Sequence, residues 1–412
     1  MLALILVDPG RCQTGPAASP ILQLNVRALG YAPEPWPIEN YGRIGIDPVC
    51  FLSNDAVAIT FVTREAPGAL SRRGQSDELL PYRLHAFFID PKTGRVINTR
   101  DWPSSSLRSR VLPATGQKFV VLTPDRLLLY SSEFNLLGQL DVTWGRESIK
   151  DHWEVAHSPG GKYLLINYEP QADAKRIDQL PPTTPLSDWE PVERFERIDL
   201  ENLQEVERWT TKICHDCFFT LGDHDAFGIS DDGMVQRWKN VPGGTPFNSK
   251  IVEIGKPPDG PWRELCPYYQ PYCRPGGFVS SETFIAEREG KPGEFWLVST
   301  NGGLLLHEVL HENETIFAGH LPSHASWNPS ADGRRFAVAV MKIKGANAFL
   351  DIGGHSHLDR VMVFDIPSRQ WIYTLNAPKR KIADISGMAL SPDGLYLALI
   401  TQGGILEIYR LP

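Results

Sequence analysis

The chain has 412 residues, 42% of them hydrophobic and 22% charged, an ordinary globular composition that admits one large domain or two to three average ones. Its 35 glycines and 34 prolines are spread along the sequence, which argues against long helices and for many short elements separated by turns. A formal net charge of -8 supplies no basic face to displace counterions, so a nucleic-acid partner is set aside.

Residues 1–20 come first. The apolar run Leu2 to Val7 is too short to span a bilayer, is shorter than a secretory apolar region, and follows no cation, so no membrane span is expected. Gly15, Pro16, Ala17, Ala18 and Ser19 suit a cleavage site, which leaves this stretch as either an N-terminal tail or the remnant of a signal peptide. Ile21 to Arg27 then alternates apolar and polar side chains, as a strand does.

From there a turn followed by an apolar strand recurs. It occurs at Ser53-Asn54-Asp55 before Ala56, at Thr115-Gly116-Gln117 before Lys118, and at Ser158-Pro159-Gly160-Gly161 before Lys162. It returns at Asn328-Pro329 with Asp332-Gly333, and at Ser391-Pro392-Asp393-Gly394. Pro presets φ, Asp or Asn accepts turn N–H groups, and Gly takes positive φ, so each is a tight turn between a first and a second strand. A second signal follows at a similar distance, an Asp that ends one strand before the next departs: Asp90, Asp199 and Asp365.

Laid end to end, the repeats begin near Cys50, Arg110, Trp153, Cys217, Cys273, Ala325 and Gly387. A spacing of about 50 to 60 residues fits four-stranded propeller blades with extended loops. The seventh copy stops at Ile405 to Arg410, a third strand with no fourth after it. The expected fold is therefore all-β, a single closed β-propeller of seven four-stranded blades over residues 21–412. Its last blade is completed by the N-terminal strand, which leaves no open edge.

Gly319-His320 followed by Trp327-Asn328-Pro329 and Asp332-Gly333, together with the Ser391 to Gly394 turn, resembles the WD40-like propeller superfamily. The likeness is to its divergent bacterial members of the YVTN type, and the Trp-Asp dipeptide occurs nowhere. The resemblance implies an interaction platform, while a fold by itself assigns no function.

His307-Glu308-Val309-Leu310-His311 matches the H-E-x-x-H of zinc proteases, which needs a helix to bring both histidines to one ion. It falls instead in the expected fourth strand of the fifth blade, where positions i and i+4 stand about 13 Å apart, too far for one metal. Cys214 and Cys217, with Cys266 and Cys273 in the next blade, are spaced better for disulfides than for zinc, and favour a periplasmic or secreted location over the cytoplasm. Asp223-His224-Asp225 and the loop His355 to Asp359 are alternatives for a cation, but the first has the composition of a turn. No Gly-x-Ser-x-Gly elbow, Walker loop or dinucleotide fingerprint is present. No catalytic residue, metal ligand or cofactor is assigned.

The functional expectation is a non-enzymatic binding scaffold. Three connections between second and third strands are swollen, 64–81, 170–190 and 342–358, and all fall on one face of an up-and-down propeller. They offer Arg72, Arg73, Trp189, Phe349, His355 and His357 to a protein or peptide partner. The alternative is a lactonase-like hydrolase with a divalent metal in the central channel.

Overall fold

The computed structural model describes residues 19–32, 48–64, 82–144, 148–170, 192–212, 220–221, 225–229, 235–239, 252–253, 273–280, 282–288, 294–299, 304–311, 314–315, 327–343, 356–376, 385–401 and 403–412.

Turn chemistry sets where the strands begin. Ser158 Oγ accepts from Tyr163 N at 2.9 Å, Ser330 Oγ from Arg335 N at 3.0 Å, and Ser391 Oγ from Tyr396 N at 2.9 Å. In the last two turns the serine hydroxyl donates to Asp332 or Asp393, each at 2.6 Å, and that Asp accepts the N–H two residues on. Gly161, Gly333 and Gly394 complete these turns with φ of 70°, 68° and 68°, a left-handed conformation that glycine adopts without a Cβ penalty. The second turn class behaves as its composition predicts: Asp90, Asp199 and Asp365 accept N–H groups from Lys92, Glu201 and Ser368.

Between these turns the described strands form seven antiparallel sheets, the first five of them ordered as meanders with strands a to d in chain order. The first holds Val49–Ser53, Ala56–Arg64, Tyr82–Ile89 and Val96–Ser104. The second holds Arg110–Ala114, Lys118–Leu122, Arg126–Tyr130 and Leu136–Asp141. Ser148–His157, Tyr163–Pro170, Val192–Asp199 and Gln204–Lys212 make the third, and Thr220–Leu221, Asp225–Ile229, Val235–Lys239 and Val252–Glu253 the fourth. The fifth contains Cys273–Ser280, Thr283–Arg288, Glu294–Ser299 and Leu304–Val309.

The sixth sheet departs from the expected four strands. Beyond Trp327–Pro329, Arg335–Ile343, Ser356–Asp365 and Gln370–Asn376 it has a fifth, Glu314–Thr315, paired to the far end of strand b through Glu314 opposite Lys342. In the seventh, Ile385–Leu390, Tyr396–Thr401 and Ile405–Arg410 are joined by Leu22–Asn25, in register with Leu22 opposite Ile408 and Asn25 opposite Ile405. The N-terminal strand is shorter than its alternation predicts. The Asn25 side chain accepts from Arg27 N and turns Val26–Leu29 into one 3-10 turn, which Gly30 ends at φ 100°.

Hydrophobic clusters lie between successive sheets. Val62, Phe88 and Phe119 join the first two; Leu112, Trp153 and Tyr168 join the second and third. Phe295, Phe336 and Phe364 join the fifth and sixth, and Ala339, Met388 and Leu397 the sixth and seventh. Ile59, Ile400 and Ile408 pack the seventh sheet against the first. Sheets covered on both faces need continuous apolar runs instead of alternation, which is why Val57 to Val62 of strand b is buried throughout. The outermost strand Leu136–Asp141 is exposed or half-buried along its length.

Candidate functional site

Strand ends decide which connections share a face. The a-to-b turns are short, 54–55 in the first sheet and 115–117 in the second. The long b-to-c connections run over 65–81, 171–191 and 344–355. The last is narrower than 342–358 because Lys342 and Ile343 continue strand b, while Ser356 to Leu358 already belong to strand c. Arg72, Arg73, Trp189, Phe349 and His355 lie outside the described residues. His357 sits on strand c, opposite Lys342.

What the structure does describe on this face is the stem below each long connection. In the first sheet the Arg64 guanidinium stands 5.7 Å above the Tyr82 ring and donates to its hydroxyl at 3.5 Å. Beneath it, Thr63 Oγ1 meets His85 Nε2 at 2.8 Å, and His85 Nδ1 meets Asp101 at 2.7 Å, with Phe61 stacked on the imidazole. In the third sheet Arg194 lies 5.8 Å above Tyr168, whose hydroxyl donates to the buried Glu196 at 2.8 Å. In the sixth, Arg360 binds Glu314 through two hydrogen bonds, 2.9 and 2.8 Å, and Asp359 takes both Lys342 and Arg360.

Electrostatics at the sixth stem favour full ionisation. The Glu314 side chain is 1% exposed. Burial opposes its charge, yet the Arg360 hydrogen bonds and charge outweigh burial and hold the carboxyl below its usual range. Asp359 is lowered in the same way, burial being overcome by Lys342 and Arg360. Arg64, Lys342 and Asp359 fall within segments singled out from sequence, 64–81, 342–358 and His355 to Asp359, but none of these pairings was. Most pair across neighbouring strands of a sheet, b with c or c with d, or through the added strand, so the signal appears only once register is known.

The opposite side of the molecule has a cavity of about 330 Å³. Strands a line its length, among them Val49, Arg110, Leu112, His157, Phe278 and Trp327, and a-to-b turn residues frame its mouth. Its described lining carries one fixed charge, Arg110, and no Asp or Glu. Among the described residues, no three of His, Cys, Asp and Glu gather as a metal site would need. Asp225 opens the second strand of the fourth sheet, while Asp223, His224 and His355 lie outside the described residues.

The H-E-x-x-H match lies on a strand and the turn after it, as its context predicts. His307 and Glu308 belong to Leu304–Val309, Glu308 accepts from Trp371 Nε1 at 3.1 Å, and His311 N donates to Glu314. Cys273 begins its strand; Cys214, Cys217 and Cys266 lie outside the described residues. Among the described residues no helix is long and apolar enough to cross a membrane.

These sheets define an all-β protein built from repeated four-stranded antiparallel meanders. No family model and no curated protein matches the chain. In structure it is similar to a chain from the crystal structure of the mitotic checkpoint complex, with 11% identity and TM-score 0.44 over 100% of this chain and 98% of that one. It is also similar to the C-terminal WD40 domain of Sif2, with 11% identity and TM-score 0.38 over 90% and 97%. Hsv2 of Kluyvelomyces marxianus gives 10% identity and TM-score 0.41 over 73% and 71%. WD40 propellers thus occur among the structural neighbours, while the fold described above rests on the chain's own sheets and turns.

Proposed function

We propose that the seven sheets are blades of one closed β-propeller, of the WD40-like type its Ser391 to Gly394 turn resembles, acting as a non-enzymatic scaffold for a protein or peptide. The first strands support the ring: Val49–Ser53 touches both Arg110–Ala114 and Ile385–Leu390, and Trp327–Pro329 touches both Cys273–Ser280 and Ile385–Leu390. Pairing of Leu22–Asn25 with Ile405–Arg410 completes the last sheet from the other terminus.

The observation that carries the binding reading is length on one face. Segments 65–81, 171–191 and 344–355 all join strands b and c, whereas the a-to-b turns opposite stay short. Loops extended repeatedly on one face of a repeat protein leave the core undisturbed and present side chains to a partner. Arg72, Arg73, Trp189, Phe349, His355 and His357 supply the cations, aromatics and imidazoles that interfaces use. The test replaces each long segment, singly and together, by a short Gly-containing turn. Native lysate is passed over wild-type and trimmed protein, and retained proteins are identified by mass spectrometry and confirmed by titration with the purified partner. Loss of that partner from a trimmed protein with unchanged unfolding temperature is expected; retention by the triply trimmed protein overturns the assignment of the face.

A further inference from the structure

We infer that Thr63 is a covalent modification site, a hydroxyl that accepts an acyl group from an activated ester, with His85 as its general base and Asp101 holding the imidazole in place. The reaction is a single transfer onto the protein, so it stands beside a scaffold role and rests on no part of the partner reading.

Register builds the site on one face of the first sheet. Phe61, His85 and Asp101 stand in one row across strands b, c and d, and Thr63 lies two residues along strand b from Phe61, on the same face. His85 Nδ1 meets the Asp101 carboxylate at 2.7 Å, and His85 Nε2 meets Thr63 Oγ1 at 2.8 Å. An ionised carboxylate only accepts, so Nδ1 carries the proton. In the neutral imidazole that leaves a lone pair on Nε2, and the Thr63 hydroxyl must donate to it. A nucleophile, a base within hydrogen-bond reach and a third group that orients the base are what acyl transfer to a side-chain hydroxyl needs. Phe61 stacks on the imidazole with ring centroids 4.8 Å apart and planes 20° from parallel, and Tyr31 meets Phe61 edge-on from behind, so the ring plane is held.

Thr63 is half-buried, and the His85 and Asp101 side chains are 23% and 53% exposed, so the group is open to a small reagent. In the step, Thr63 Oγ1 attacks the acyl carbon as its proton passes to His85 Nε2. The bond from that carbon to the leaving phenolate or thiolate then breaks, and the leaving group takes the proton from Nε2. One Thr63 ester and one phenol or thiol result, with no oxidant, metal or water consumed.

The probe is 4-nitrophenyl acetate at about pH 8, above the imidazole range, with the reaction quenched in acid and acetyl groups mapped by peptide mass spectrometry. Acetylation of Thr63 is expected at least about tenfold faster than that of the exposed Thr93, whose hydroxyl donates at 2.7 Å to Asp90 with no imidazole between. Thr63→Val removes the acetyl. His85→Phe keeps a ring on Phe61 without a lone pair, and should slow acetylation of Thr63 at least about tenfold. Asp101→Ala takes away the acceptor that sets the tautomer, and should slow it about tenfold at unchanged unfolding temperature. The ring nitrogen shifts of His85, read by NMR, should report Nδ1–H in the wild type and a share of Nε2–H in Asp101→Ala. If His85→Phe does not fold, Asp101→Ala decides. No acetyl on Thr63, equal rates at Thr63 and Thr93, Nε2–H in the wild type, or the wild-type rate in His85→Phe or Asp101→Ala overturns the inference.

Discussion

Packing of neighbouring turns against one another can be tested by adding one methyl group at two glycines of nearly equal φ. Gly161 and Gly116 have φ of 70° and 72°, so alanine at either position suffers the same left-handed strain, about 1–2 kcal/mol. Their surroundings differ. At Gly116 the nearest atom to an added Cβ is Lys118 Cε at 3.9 Å, the end of a flexible side chain. At Gly161 the Cβ would sit 3.1 Å from Ala114 C and Cα and 3.2 Å from Pro113 O, all backbone of the preceding sheet. Thr115 N also donates to Gly161 O at 3.1 Å, so the two turns cannot separate freely. Overpacking against fixed backbone adds about 1–3 kcal/mol, for a total of about 2–5 kcal/mol at Gly161. With about 2.1 cal/mol/K of unfolding entropy per residue over 412 residues, each kcal/mol lowers Tm by roughly 1 °C. Gly116→Ala should therefore lose about 1–2 °C by scanning calorimetry and Gly161→Ala about 2–6 °C. Equal shifts for the two would refute the claim that adjacent a-to-b turns bear on one another.

Glu314→Gln should destabilise the protein by about 3 kcal/mol at pH 7 in urea unfolding, the low end for breaking a buried pair because Asp359 still faces Arg360. Glu314 and Asp359 have lowered folded-state pKa values, so their contribution is present above the unfolded values near 4 and is lost as pH falls through the lower folded values. The gap between wild type and variant should narrow below about pH 4; a constant gap down to pH 2 would count against the pairing. Removing the chain through Gly30 exposes Ile405–Arg410 as an open edge, and sedimentation should show self-association that a peptide of residues 19–30 reverses. A truncated protein that stays monomeric with wild-type Tm argues against closure by that strand. Cys214, Cys217, Cys266 and Cys273 are proposed to pair as disulfides; four or more free thiols in denatured, unreduced protein from an oxidising compartment would reject the proposal.

Turn signals in the sequence placed most strands, because Ser158, Ser330 and Ser391 act locally, each binding an N–H five residues on. The repeat starts read near Arg110 and Cys273 coincide with observed strands. His307 and Glu308 of the H-E-x-x-H match lie on a strand, where the repeat pattern expects the fourth strand of its sheet. Excess length between strands b and c was legible in the sequence, whereas the six residues proposed there rest on composition alone. What only the tertiary structure decided are relations between distant residues. Glu314 gains a buried partner in Arg360, 46 positions away, through a strand absent from the repeat pattern. Asn54 and Asn328, which a sequence presents as ordinary turn residues, accept the Asp393 and Leu390 N–H groups of the seventh sheet and its turn. Hydrogen bonds between sheets depend on register and on which distant segments meet, and neither is encoded in any short stretch of chain.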